Sequence, residues 1–221
     1  MKKIINILFT VLTGLAVMFI QSCKEDTTPP TITLIGSPDT IIAKNSIYID
    51  PGATADDNKD DAVYVISDYS PSNPDETVTM PYTITYKAQD RNANMATATR
   101  TVNVTWTGSS LAYNYAVVDT SQMDTIAYAS TVTPDILNTF RVYIGNLMNG
   151  TLFVSSTYAD LKANSVTIPT QRPDGLFSPY IVSGSGTIAD VPPNIIWDIH
   201  YTVQDTTGTL PTLHRHAVLV Y

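Results

Sequence analysis

Cysteine is almost absent: the 221 residues hold one, Cys23. No intrachain disulfide is therefore available, a Cys-rich metal site is excluded, and stability has to come from burial. Charge is also scarce, at 14% of residues, and lopsided, with 12 Lys+Arg against 20 Asp+Glu. An acidic surface repels phosphate backbones, so no nucleic-acid partner is expected. Beyond residue 22 no segment keeps a 3.6-residue apolar period over roughly ten residues, which leaves no long amphipathic helix. P-loop, HExxH and dinucleotide fingerprints are missing too. Ser183-Gly184-Ser185-Gly186 lacks the GxSxG spacing of a nucleophile elbow and reads as a strand lightened by glycine. Carboxylate pairs for sugar hydrolysis are common enough in sequence, but the segments are small for a substrate cleft. The expectation is a protein that is not an enzyme.

The long hydrophobic run that does occur lies at the start. Lys2 and Lys3 precede an apolar stretch from Ile4 to Ile20, closed by Gln21-Ser22-Cys23. This order of charge, apolar core and small residue before cysteine resembles a bacterial lipoprotein signal, which implies cleavage after residue 22 and lipid on Cys23. An ordinary secretory signal or a membrane anchor is the competing reading. Lys24-Glu25-Asp26 resembles the lysine-plus-acidic export tag of Bacteroidetes-type surface lipoproteins, and equally suits a solvated tether. Removal of residues 1–22 takes two lysines and no acid, leaving a net charge of −10. Residues 23–30, ending in Pro29-Pro30, read as an extended tether.

From Thr31 onward Thr, Val, Ile and Tyr dominate and the chain reads as all-β. Short strands are expected at Thr31–Ile35, Thr40–Ile42 and Ala62–Ser67, with a turn at Asp50-Pro51-Gly52. Pro81–Gln89 and Ala96–Trp106 alternate strictly, placing Tyr82, Ile84, Tyr86 and Ala88 on one face of the first strand and Val102, Val104 and Trp106 on one face of the second. The blocks PPTITLIGS, YIDPGATADDNKDDA and YTITYKAQDRNANMATATRTVNV, in that order, resemble the bacterial Ig-like, cadherin-like repeat of the DPGATA type. That resemblance covers residues 29–106 and implies a seven-stranded antiparallel β-sandwich. Ala93 stands where the family usually has glycine.

Residues 107–110, TGSS, form a natural linker. Residues 111–221 read as eight strands, at Tyr113–Val118, Thr125–Thr133, Phe140–Ile144, Thr151–Ser155, Val166–Ile168, Tyr180–Ile188, Ile195–Gln204 and Leu213–Tyr221. A meander of this kind curls into an antiparallel barrel or half-barrel. NSVTIPTQ and YIVSGSGTI also resemble the C-terminal β-module of small Bacteroidetes lipoproteins, some of them lipocalin-like.

Candidate binding chemistry is sparse. Asp56, Asp57, Asp60, Asp61 and Asp90 are loop carboxylates of the hard-oxygen type that suits calcium, although the spacing matches no EF-hand and solvated charge is the commoner meaning. No other cofactor is expected. In the last hairpin the apolar faces coincide only if odd residues oppose odd ones, which puts His200, His214 and His216, all the histidines present, on one sheet face with His200 opposite His216. Three imidazoles there resemble a partial zinc shell, or simply a polar outer face. Thirteen tyrosines include Tyr69, Tyr158 and Tyr180 in or beside loops, where a ring stacks on a sugar as readily as it packs. Asp-Thr-Thr or Asp-Thr-Ile at Asp26, Asp39, Asp124 and Asp205 resembles the O-glycosylation tripeptide of secreted Bacteroidetes proteins, a motif short enough to recur by chance. The expectation is an outer-membrane lipoprotein, held to the membrane through lipid on Cys23 and exposed at the cell surface. Its Ig-like stalk would carry a C-terminal module that binds a glycan in polysaccharide uptake. The alternative is an adhesive protein binding an outer-membrane protein partner.

Overall fold

The computed structural model describes residues 25–72, 74–147, 156–173 and 179–221. These residues form an all-β protein whose little helix is 3₁₀, a turn at Ser109–Leu111 and a residue at Leu147. None of their helices is long and apolar enough to cross a membrane. Two compact units are present. One joins residues 25–35 with Gly52–Ser67 and Thr85–Ala98, the other Gly36–Pro51 with Asp68–Ile84 and Thr99–Tyr221.

Six strands come first: β1 (Thr31–Leu34), β2 (Asp39–Ala43), β3 (Ala53–Asp56), β4 (Val65–Ser67), β5 (Pro81–Gln89) and β6 (Met95–Thr105). β1 and β3 form an antiparallel pair, and a second sheet has the order β2-β6-β5-β4. The expected alternation holds on β5, where Ile84, Tyr86 and Ala88 are buried. On β6 the buried face carries Arg100 as well as Val102 and Val104, and Arg100 pairs with buried Asp50 at 3.4 Å. Two expectations are corrected. Among the described residues the resemblance's seven strands are six, and β2 runs parallel to β6, with Asp39 opposite Thr101 and Ala43 opposite Thr105. Asn103 fastens that parallel pair by donating from Nδ2 to Asp39 Oδ1 at 2.6 Å. Gly52 adopts φ 82°, as the turn requires, and Ala93 takes φ 69° despite its Cβ. Asp90 holds that loop, accepting from Asn94 N at 2.7 Å and from Asn94 Nδ2 at 2.6 Å. The expected tether is packed at Asp26 and Pro30, both buried.

Eight further strands follow: β7 (Asn114–Thr120), β8 (Thr125–Pro134), β9 (Arg141–Ile144), β10 (Thr157–Lys162), β11 (Ser165–Gln171), β12 (Tyr180–Val191), β13 (Asn194–Asp205) and β14 (Leu213–Val220). Each pairs antiparallel with its neighbour in sequence, and β14 pairs with β7, so the sheet closes into a barrel. The count of eight holds, but the fourth strand is Thr157–Lys162, where no strand was expected; Thr151–Ser155 lies outside the described residues. β10 escapes a hydrophobic reading because its inward residues are Thr157, Ala159 and Leu161.

Eight strands enclose about enough room for side chains to fill. Here Trp197, Ile199, Ile144, Ile168, Val142 and Leu219 fill it, with Trp106 and Leu111 in the same core. The Tyr115 ring meets Trp197 edge-on at 5.8 Å, and its burial pushes the phenol up to about 12. Gly184 and Gly186 let β12 lie tight on β13: a Cβ on Gly184 would come within 2.6 Å of both the His200 carbonyl oxygen and Tyr201 Cβ. Because strands alternate in direction, the described connections 121–124 and 206–212 lie at one rim, where β9 and β11 also end and β10 and β12 begin. The chain enters at the opposite rim, beside the connections 135–140, 163–164 and 192–193.

Candidate functional site

Tyr158 is the second residue of β10, at the rim where that strand begins. Thr157 and Ala159 point inward and are fully buried, so Tyr158 faces out. The Arg141 guanidinium lies 4.5 Å from the centre of its ring. Arg141 is itself held by Asp160 at 2.6 Å, which raises its pKa. Gln171, where β11 shifts register, donates from Nε2 to Tyr158 O at 2.7 Å and accepts from Tyr158 N at 3.0 Å. Tyr180 begins β12 at the same rim, opposite Asp205, and packs partly against the core. Tyr69 is elsewhere in the chain: its hydroxyl donates to Tyr48 O at 2.9 Å and its ring meets the Tyr48 edge.

Beneath that rim lies a polar group that the sequence reading missed. Asp119 is fully buried inside the barrel and accepts from Arg215 Nε at 3.0 Å and Tyr201 OH at 2.5 Å. Tyr128 OH adds a bond at 3.3 Å, and Arg215 Nη1 reaches out to Asp124 Oδ1 at 3.0 Å. Burial opposes the charge on Arg215, but the hydrogen bond and charge of Asp119 outweigh it and raise its pKa. Burial and the Asp119 charge also push the Tyr201 phenol up. Alternation carried the signal: Asp119 follows Tyr115 and Val117 on the inward face, and Arg215 shares a face with Ala217 and Leu219.

The loop carboxylates converge only in part. Asp57 and Asp90 come together with Asp26, which had been assigned to the tether, their carboxylate oxygens within 4.8 Å of one another. Asp57 Oδ1 accepts from the backbone of Lys59 and Asp60, and the Lys59 bond leads in holding its pKa low. Asp57 Oδ2 is buried and meets no donor. Asp60 instead accepts from Arg91 N at 2.8 Å, while Asp56 and Asp61 are exposed outside the group. Hard oxygen donors of this kind suit calcium.

The histidine register is as expected: His200 opposes His216, and Thr202 opposes His214. The His200 and His216 rings stack at 4.3 Å, 4° from parallel. The third group beside them is Asp198 rather than His214, which stands one step along β14. Asp198 is two residues from His200 and so shares its face, a parity cue already present in the strand.

Residues 32–104 match the family model of a bacterial surface protein, Ig-like domain. The match runs from β1 into β6, about a third of the chain, and leaves the barrel outside it. No curated protein matches the sequence. Among solved structures, a lipoprotein from Bacteroides thetaiotaomicron aligns over 86% of this chain and 98% of its own, at 14% identity and a TM-score of 0.31. A similarity so low carries no conclusion about fold or function. The Ig-like domain and the closed barrel thus account for the described strands.

Proposed function

We propose that the protein is a non-catalytic lipoprotein, anchored through Cys23 in the outer membrane. Its Ig-like domain (29–106) and linker (107–110) carry the barrel (111–221) as a glycan-binding module for polysaccharide capture at the cell surface. The observation that carries this reading is the polarity of the barrel. The described connections 121–124 and 206–212 crown one rim, where β10 and β12 also begin, while the chain enters the barrel at the other. Tyr158 and Tyr180 lie at that crowned rim, separated by one strand, and the Tyr158 ring, backed by Arg141, supplies an aromatic plate of the type on which sugars stack. The test is a polysaccharide array probed with the purified protein and with Tyr158→Ala and Tyr180→Ala. The expected result is binding to at least one glycan class that falls roughly tenfold in either variant, a change of about 1.4 kcal/mol. Absence of binding to any glycan sinks the reading.

A second reading, adhesion to a partner protein, rests on a different feature. The barrel is closed and offers no edge, whereas β4 is an edge strand with Ile66 and the preceding Tyr64 largely exposed. Strand addition there would bring a co-purifying protein partner that Ile66→Lys releases, with no sugar affinity.

A further inference from the structure

We infer that the outer wall of the barrel carries a divalent transition-metal site formed by His200, His216 and Asp198. Both imidazoles turn Nε2 toward the same carboxylate oxygen: Asp198 Oδ1 lies 2.9 Å from His216 Nε2 and 3.5 Å from His200 Nε2. Zinc binds imidazole nitrogen and carboxylate oxygen at about 2.0–2.2 Å, so a tetrahedral shell spaces neighbouring donors by roughly 3.3 Å. The observed separations bracket that spacing, and the three donor atoms lie within 4.8 Å of one another. To take the ion, the two rings, now stacked 4° from parallel, turn apart so that both Nε2 lone pairs point at it.

The backbone under the site is fixed. His200 and His216 are direct cross-strand partners, and the residues that alternate with them, Ile199 and Ala217, are fully buried in the core. The backbone therefore needs little ordering on binding, and only the side chains turn. All three side chains are at least a third exposed, so an ion enters directly from solvent. Two imidazoles select zinc, nickel or copper over calcium and magnesium, which prefer all-oxygen shells. Three protein ligands leave a fourth position open to water or to a donor group on a bound molecule. A shallow groove lined by Thr120, Ser121, Gln122 and His214 opens beside the cluster and provides room for it.

The test is calorimetric titration of the purified full-length protein, in detergent and without a polyhistidine tag, with zinc chloride at pH 7.5. Saturation at one ion per chain is expected, unaffected by millimolar calcium. His200→Ala and His216→Ala should each weaken binding at least tenfold and Asp198→Asn several-fold. His214→Ala should leave it unchanged, which separates this site from a loose cluster of all three histidines. Circular dichroism confirms that each variant folds. The site is overturned if no saturable binding occurs, if His214→Ala weakens zinc as much as His216→Ala does, or if His200→Ala binds as tightly as the parent.

Discussion

Arg215 is the residue on which the barrel interior depends most. Its side chain is 3% exposed and it faces Asp119, whose side chain is 0% exposed. Removing one partner of such a pair leaves the other charge buried without compensation, at a cost of about 3–5 kcal/mol, whereas replacing both with apolar groups of similar size is near neutral. Arg215→Ala should therefore lose a large share of the stability, and the double variant Asp119→Leu/Arg215→Met should recover most of that loss. Urea unfolding of the three proteins checks it. Equal destabilisation of the single and double variants would show that the network, including Tyr201 and Tyr128, is worth more than its charges. The pair was legible in principle, because strict alternation places both residues among inward apolar neighbours. It goes unread because Asp and Arg are taken as surface residues unless parity is enforced.

At the scale of elements, the β13–β14 connection is held by one side chain. Asp205 accepts from Thr207 Oγ1 at 2.7 Å, Thr207 N at 2.8 Å, Leu210 N at 2.9 Å and Thr209 N at 3.1 Å. The Thr207 hydroxyl, followed by the backbone donors, holds its pKa below the usual carboxylate value. A folded value below the unfolded one makes the contribution complete above about pH 4 and lost as pH falls through the folded value. Asp205→Asn should thus lower the thermal midpoint at pH 6, and the gap to the parent should close as pH falls from about 4 through the folded value. A gap that stays constant with pH would remove Asp205 from the account. Strands were the legible part of this protein: β5 and β6 declare themselves by alternation, and the apolar faces of β13 and β14 set their register and with it the His200–His216 pair. The parallel pairing of β2 with β6 was not legible, because strand direction is decided by a crossover that leaves no periodicity. β10 was lost because a wall can be closed with threonine and alanine once its neighbours supply the bulk. Asp26 was lost for a related reason: three short polar segments meet there only through the fold.

For the whole molecule, the acidic balance and the lone cysteine make one joint demand. The sequence from Cys23 onward carries a net charge of −10 and cannot be held to an anionic surface by basic residues. No helix among the described residues spans a bilayer. The proposed lipid on Cys23 would supply the attachment, and more than one acyl chain is needed for lasting anchorage, since a single chain gives only marginal binding. The parent protein should partition with membranes and resist extraction by high salt. Cys23→Ser should move it to the soluble fraction or leave residues 1–22 uncleaved, and protease added to intact cells should degrade the parent if it faces outward. Mass spectrometry of the N-terminal peptide decides the point. An acylated residue 23 is the expected product, and a free thiol there, or a chain still starting at Met1, would remove the anchor on which presentation of the barrel depends.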